Sequence, residues 1–272
     1  MRKVVDSNYL RDDALTAYLG RRPNNMVVLS EYTGMEAYTG DTLATLSKSM
    51  SVLMLFPKQV IVLKSTRALF RLSGKVKGLQ RRMIDKSITA DFPSFCKLLK
   101  AAVAGNAASL REILERAQKA EKLLRKVESS IASMTALFPK LARLYSSEER
   151  ARIRTGRMIH DNSLEAVITN SVKLAAVLYG VDRRFGTLPP SDSLVDTYPF
   201  RFALCAQLLA LRWAAFGGID GASKHTLRND MIDLQVTTCA TFFDGLLSKD
   251  RRQQTVYAYA LVILRALGGT IT

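Results

Sequence analysis

KVVDSNYL, at residues 3–10, places a short apolar strand directly before an acidic side chain and gives the first indication of an α/β fold. Two valines run into Asp6, which is followed by Ser7 and Asn8. Asp6 has two interpretations. It is either the N-cap of the helix that follows or a carboxylate ligand of a metal ion at the end of a strand. The rest of the chain is needed to decide between them.

Strands and helices alternate along the first 65 residues. Short apolar runs at 3–5, 26–29 and 59–63 are typical of buried strands. Helical periodicity lies between them, over 9–19 and, despite two glycines, over 31–46. Strands separated by helices of this length predict βαβ units and a parallel sheet.

The middle and the end of the chain have different patterns. From 66 to about 217 no segment alternates like a strand, and long helices are predicted, with a loop at 186–193. The last part returns to the first pattern, with a helix over 224–243, a short strand that ends at Asp250, and a closing apolar helix over 256–269. We therefore expect an α/β protein with a central parallel sheet and a long, mainly α-helical insertion.

Composition excludes several classes of protein. With 272 residues, of which 48% are hydrophobic, the chain is large enough to bury a proper core. Its three cysteines and its two histidines, His160 and His225, are far apart, which excludes a zinc site and a His-rich metal centre. The N-terminus lacks the apolar core of a signal peptide, and no stretch reaches the roughly 20 apolar residues that span a bilayer. We expect a cytoplasmic protein without a membrane partner.

Positive charge is concentrated in the middle of the chain. Residues 64–157 hold 22 basic and 8 acidic side chains, whereas the flanking segments 1–63 and 158–272 are almost balanced within a total net charge of +16. A basic region between balanced ends indicates a surface for a polyanion, and nucleic acid is the first candidate. A solvated helical face is the alternative interpretation.

Carboxylates flank the predicted strands and helices at four places. These acids are Asp6 after the first strand, Glu36 in the helix after the second, Asp230 and Asp233 on one face of a late helix, and Asp250 at the end of the last strand. The carboxyl ends of parallel strands form the ligand crevice of an open sheet, so Asp6 and Asp250 are predicted to meet at one edge. Clustered carboxylates repel one another, and a hard cation such as Mg²⁺ or Mn²⁺ makes the cluster tolerable.

Each acid also has a plain structural interpretation. Taken alone, each acid can be explained without a metal ion: Asp6 as a helix cap, Glu36 as a solvated helix charge, Asp233 as half of a surface pair and Asp250 as part of a loop ion pair. Their joint arrangement on strands and helices favours a metal pocket. Such a pocket supports phosphodiester hydrolysis, because one or two bound ions activate water and stabilise the leaving oxygen.

Three segments resemble the PIN-domain (PIN-like nuclease) family: VVDSNYL near the N-terminus, MVVLSEYTGMEAY around the second strand, and RNDMIDLQVTTCATFFDGLLSKD near the end. The family pattern begins with an Asp and a small hydroxyl residue after strand one, which Asp6, Ser7 and Asn8 match. A Glu on a following helix comes next. Glu36 is the better match to this Glu, and Glu31 is the less favoured alternative.

The later family motifs are an Asn-Asp pair that opens a helix and a strand that ends in a Thr/Ser-x-Asp type motif. Asn229 and Asp230 match the first of these, and Ser248 and Asp250 match the second. The resemblance covers about residues 1–65 and 224–265.

The resemblance implies a three-layer α/β/α fold with a central parallel sheet. Its catalytic core would be formed by residues 1–65 and 224–272, with 66–223 as a basic helical insertion. It also implies nuclease activity that depends on Mg²⁺ or Mn²⁺, usually on RNA. The catalytic and metal-binding acids would be Asp6, Glu36, Asp230 and Asp250. Three further residues would orient the ligands or the substrate: Asn8, Asp233 and Ser248.

The basic region is predicted to bind the phosphate backbone, since Lys and Arg side chains supply affinity and position the strand. The predicted contacts are Arg67, Arg71, Lys75, Lys77, Arg81, Arg82, Arg150, Arg152, Arg154 and Arg157. We therefore expect a metal-dependent endoribonuclease whose partner is nucleic acid, RNA before DNA. An inhibitory or complex-forming protein partner and the oligomeric state are left open.

Two other functions match parts of the pattern. A catalytically silent PIN-like module for nucleic-acid binding or assembly would use the basic insertion alone and would have no need for four repelling acids. A phosphatase of the haloacid-dehalogenase type also begins with an Asp after strand one. That motif needs a second Asp two residues on, where this chain has Asn8.

Overall fold

The computed structural model describes most of the chain. The described residues are 1–72, 75–135, 146–155, 161–181, 188–216 and 223–271. Within them the protein is mostly helical and contains one parallel sheet of four short strands. The predicted α/β class with a central parallel sheet is therefore confirmed.

All four predicted strands form. The strands are β1 (Arg2–Val5), β2 (Met26–Leu29), β3 (Val60–Val62) and β4 (Leu246–Leu247). Their order across the sheet is β3-β2-β1-β4, and every neighbouring pair is parallel. Val4 pairs with Val28, and Val5 pairs with Leu247. Since β1 lies between β2 and β4, the residue that follows it reaches the centre of the carboxyl edge.

Helices make up the remaining regular structure. They are α1 (Asp13–Arg21), α2 (Glu31–Glu36), α3 (Thr42–Met50), α4 (Thr66–Phe70), α5 (Leu79–Met83), α6 (Lys86–Val103), α7 (Ala107–Thr135), α8 (Ser147–Arg154), α9 (Asp161–Val181), α10 (Ser191–Leu194), α11 (Tyr198–Ala215), α12 (Lys224–Ala240) and α13 (Arg251–Ala266). In the described part of 66–223, the predicted insertion, the only β-type pairing is an isolated bridge between Leu63 and Ile84. None of the described helices is long and apolar enough to cross a membrane.

Two helix boundaries differ from the sequence prediction. The first helix begins at Asp13 rather than at residue 9, because the Asp12 carboxylate accepts a hydrogen bond from the Ala14 amide and fixes the start of the helix. The helix expected over 31–46 is two helices, α2 and α3. Gly40 separates them with a φ of 82°, a conformation that glycine adopts without strain and that ends a helix.

Alternate residues of the sheet enter two different hydrophobic clusters. Val4 packs in a cluster with side chains of α11, α12 and α13, whereas Val5 packs in a second cluster with side chains of α1, α3 and α6. Successive side chains of a strand point to opposite faces, so a single short strand serves both clusters. Helix α11, from the predicted insertion, packs against α12 and α13 from the predicted catalytic core. It is buried on nearly all sides.

Candidate active site

Asp6 lies at the carboxyl end of β1 and is only 2% exposed. Its amide continues the sheet pairing by donating to the Leu247 carbonyl at 2.9 Å. One carboxylate oxygen accepts from the Ser7 amide at 2.8 Å and caps the short 3₁₀ turn that follows. The other oxygen accepts from the Ser248 hydroxyl at 3.1 Å. Asp6 thus caps this short turn rather than the longer helix α1, which Asp12 caps, and its second oxygen faces the loop after β4.

The loops after β1 and β4 are tied together through side chains. Asn8 accepts from the Lys249 amide at 2.9 Å, and the Asp250 amide donates to the Ser248 hydroxyl at 3.0 Å. Since β1 and β4 are parallel neighbours, their ends meet at the same edge, as predicted. The side chains of Asn8 and Ser248 therefore link the loop that carries Asp6 to the loop that carries Asp250.

Glu36 reaches the same edge from α2. Ser30 caps this helix, and the Ser7 side chain lies near the Glu36 carboxylate. Burial raises the pKa of Glu36, and the negative charge of Asp6 raises it further. The Ser7 side chain and Arg228 act in the opposite direction. Glu31, the alternative register, instead accepts from the Thr66 amide at 2.8 Å. The structure brings Glu36 to the site.

Helix α12 contributes two carboxylates. Asp230 is 6% exposed. Burial raises its pKa, while the positive charge of Arg252 and the Trp213 side chain act in the opposite direction. The pKa of Asp233 is raised to about 8, first by burial and then by the negative charges of Asp6, Asp250, Glu36 and Asp230, in that order. The charge of Asp233 therefore interacts with those of all four other acids. The sequence predicted only an orienting role for it.

Asp250 differs from the other four acids because it is well compensated. It caps α13 by accepting from the Arg252 amide at 2.6 Å, and it forms an ion pair with the Arg252 guanidinium at 3.1 Å. Burial raises the pKa of Asp250, but the hydrogen bonds and charge of Arg252 outweigh it, and the pKa lies below its usual value. Burial also raises the pKa of Asp6, so the site combines one acid stabilised in its charged form with four acids whose charged forms are disfavoured.

The donor chemistry of the site fits a hard divalent cation. All its candidate donors are oxygens, as Mg²⁺ and Mn²⁺ prefer. The side-chain amide nitrogen of Gln253 donates to the backbone carbonyl of Asp233 at 3.3 Å. The side-chain carbonyl oxygen of Gln253 is buried and has no hydrogen-bond partner. Among the described residues, no three His, Cys, Asp or Glu side chains stand close enough to hold an ion as they are placed. Uncompensated carboxylates repel one another, so a cation would have to draw them together.

Sequence reasoning missed four residues that surround the acids. Arg228 faces Glu36, Arg252 pairs with Asp250, and Arg212 and Trp213 approach Asp230 from α11. The sequence shows Arg212 only as a charged residue in a largely apolar helix that also contains Arg201 and Gln207, and this pattern does not indicate that it approaches an acid.

The predicted phosphate contacts are only partly brought together. Lys77, Arg81 and Arg82 line an open basic cavity of about 590 Å³ with Lys64 and Lys86, two lysines that the sequence did not single out. The other predicted contacts in the described residues are mainly at the surface, namely Arg67, Arg71, Lys75, Arg150, Arg152 and Arg154. Arg157 lies outside the described residues. Of the predicted contacts, the structure brings together Lys77, Arg81 and Arg82, which line one basic cavity.

Comparisons of the chain with protein-family models, with curated proteins and with solved structures found no match. The geometry of the site itself therefore carries the functional proposal.

Proposed function

We propose that this protein is a Mg²⁺- or Mn²⁺-dependent PIN-like endoribonuclease. The observation that supports the proposal is that five carboxylates from four separate segments lie near enough to one another, around the carboxyl edge of a parallel sheet, for their charges to interact. These carboxylates are Asp6, Glu36, Asp230, Asp233 and Asp250. A protein that had no use for this negative charge would gain stability by replacing the acids, since like charges in a half-buried site are costly.

The three-layer arrangement of the PIN-like fold belongs to the same proposal. It is supported by the strand order, with β1 in the interior of a parallel sheet, and by the two hydrophobic clusters that share the side chains of β1. The short motifs after β1, in α2, in α12 and after β4 occur in the order that the family resemblance requires.

Each group of residues has a role in the proposed reaction. Asp6, Glu36, Asp230 and Asp233 would hold the ion, and a bound Mg²⁺ or Mn²⁺ would supply activation of water and stabilisation of the leaving oxygen. Asn8 and Ser248 keep the two strand ends in position through hydrogen bonds. Arg252 neutralises Asp250 and lies at the rim, where a phosphate group is expected to approach.

Replacement of Asp6 by Asn tests the proposal. The amide keeps the size of the side chain and still accepts from the Ser7 amide, but it removes a negative charge from the site. We expect the purified variant to remain folded and to lose at least about 100-fold in metal-dependent RNA cleavage, the lower end of the range for loss of one preorganised polar group in an active site. The assay uses labelled RNA and DNA with Mg²⁺, Mn²⁺ or EDTA.

Glu115→Gln is the matched control for Asp6→Asn, because it makes the same acid-to-amide change at an exposed position on α7. It is expected to cleave like the wild type. Undiminished cleavage by Asp6→Asn would remove Asp6 from the site, and cleavage that persists in EDTA would contradict the metal dependence.

A catalytically silent PIN-like binding or assembly module is the second candidate. The observation that favours it is that, in the described part of the chain, no three acids already stand close enough to share an ion. A titration with Mn²⁺ separates the two functions. Binding at the acids raises the melting temperature of the wild type more than that of Asp6→Asn, because a ligand stabilises the state that it binds. If Mn²⁺ changes neither stability nor cleavage, the silent module is correct.

The basic cavity predicts a specific salt dependence. Arg81 is exposed and lines this cavity, so we expect Arg81→Ala to weaken RNA binding and to reduce the slope of log Kd against log salt concentration by about 0.7–1. Lys58→Ala is the control, because Lys58 is also exposed but precedes β3 and so lies toward the opposite edge of the sheet. Equal slopes for the two variants would show that the cavity does not contact phosphate.

A further inference from the structure

A cavity of about 300 Å³ lies beside the acids, between α11, α12 and α13. Its walls are mainly apolar and include Trp213, Phe216 and Leu227, while Asp230 and Asp233 belong to its polar lining. The volume is at the small end of the range of about 300–1,000 Å³ that ligand pockets span. The cavity is thus continuous with the carboxylate site but differs from it in chemistry.

Two guanidinium groups share the lining of this cavity. Arg212 lies with its guanidinium 4.8 Å from the centre of the Phe216 ring, and Arg252 enters from the start of α13. Burial lowers the pKa of Arg212, and the neighbouring positive charge of Arg252 lowers it further. Two cations at one cavity that also contains exposed aromatic surface are suited to an anion that carries a flat ring.

Gln253, in the lining of the same cavity, carries a hydrogen-bond acceptor that is closed off from solvent as its side chain is placed. Its side chain lines the cavity, is 3% exposed, and has a buried carbonyl oxygen without a partner. A buried acceptor without a donor costs free energy, and such a group in a native protein points to a missing partner. The amino and ring N–H groups on the edge of a nucleobase are donors of the required kind.

We propose that this cavity is a nucleobase subsite, in which Trp213 and Phe216 contact the base, Arg212 and Arg252 bind the adjoining phosphate, and the Gln253 amide turns toward the cavity to accept a hydrogen bond from the edge of the base. The ligand class is a ribonucleotide unit. Its role in selecting the nucleotide next to the cleaved bond rests on the proposed nuclease function. Binding of the nucleotide itself needs neither metal nor cleavage.

Trp213 makes the subsite directly observable, because it is the only tryptophan of the chain. The full-length protein in EDTA is titrated with adenosine and uridine 5′-monophosphates while the tryptophan fluorescence is followed. Ribose 5-phosphate, which has the phosphate but no base, is titrated in parallel. We expect saturable quenching by at least one of the two nucleotides and little or none by ribose 5-phosphate.

Phe216→Ala is the test variant, because Phe216 is 55% exposed and its removal leaves the hydrophobic core intact. It is expected to weaken nucleotide binding by at least about fivefold, the lower end of what one base–aromatic contact contributes. Phe216→Tyr, which keeps the ring, should bind like the wild type. Leu55→Ala, a change at a residue that is 68% exposed and outside the cavity lining, should also have no effect.

The results separate the subsite from the nuclease proposal. Quenching by nucleotides in a protein that never cleaves RNA would support the subsite and contradict the nuclease function. Metal-dependent cleavage with no saturable quenching, with equal quenching by ribose 5-phosphate, or with unchanged binding by Phe216→Ala would overturn the subsite and leave the nuclease function in place.

Discussion

Asp233→Asn is expected to abolish metal-dependent cleavage and, in the absence of metal, to stabilise the protein at alkaline pH. The charge of Asp233 interacts with those of all four other acids, so under the proposed function we expect its removal to weaken metal binding. We expect cleavage to fall by about 10³-fold or more, the upper end of the range for loss of one preorganised polar group in an active site. Stability should change in the opposite direction, because the same substitution relieves the repulsion among the acids.

The pH dependence of stability follows from the raised pKa of Asp233. The folded state holds this proton up to about pH 8, whereas the carboxyl group has an ordinary value of 3.8. A raised folded-state pKa contributes stability that is complete below the ordinary value and is lost as the pH rises through the folded-state value. The metal-free wild type should therefore melt at a lower temperature at about pH 9 than at about pH 6, and this difference should be smaller in Asp233→Asn.

The measurement is a thermal melt in EDTA at both pH values, repeated with Mn²⁺. Mn²⁺ should raise the melting temperature of the wild type most at alkaline pH, where the carboxylates have lost their protons and can bind it. Glu115→Gln, the exposed acid-to-amide control on α7, should follow the wild type throughout. If Asp233→Asn and the wild type lose the same amount of stability between about pH 6 and about pH 9, the pKa of Asp233 is not raised in the folded protein.

The sheet and the edge at which the acids meet were predictable from the sequence. The apolar runs before Asp6 and Asp250 are short and bounded by polar residues, which distinguishes strands from buried helices. Once the strands are parallel, the residues that follow them must lie at one edge, whatever the rest of the chain does. Local pattern and one rule of topology were sufficient for this part of the site.

The centre of the site was not predictable, because it depends on how helices rotate against the sheet. Spacing places Asp230 and Asp233 on one face of α12, but the direction of that face is set by packing of α12 on β1, α2 and α11. The position of Asp233 among the other acids and the approach of Arg212 and Trp213 from α11 are both tertiary outcomes. A single sequence contains no local signal for either.

Helix α11 links the stability of the fold to the geometry of the site. Its C-terminal end carries Arg212 and Trp213, and its N-terminal half carries Arg201, which is completely buried. The Arg201 guanidinium donates to the carbonyls of Val195, Thr241 and Thr270. One side chain therefore joins the segment before α11, the end of α12 and the C-terminal segment. A buried charge in this position needs a partner of opposite sign.

Asp196 supplies the negative charge, at 2.6 Å from the Arg201 guanidinium, and the Phe242 ring lies 4.1 Å from the same group. Arg201→Met is expected to destabilise the protein by about 3–5 kcal/mol, because it leaves the Asp196 charge buried and uncompensated. The double variant Asp196→Asn/Arg201→Met should recover part of this loss, since it removes both charges.

The free energy of unfolding of these variants is measured by denaturant titration, with Arg125→Met as the matched control. Arg125 forms a surface ion pair with Glu121, in which both side chains are more than half exposed, so its loss should cost less than about 1 kcal/mol. Arg201→Met with a loss as small as that of Arg125→Met would mean that Arg201 does not tie the three segments together. A large loss in Arg201→Met, with partial recovery in the double variant, would establish that the buried pair stabilises the packing of α11, the helix that also carries Arg212 and Trp213.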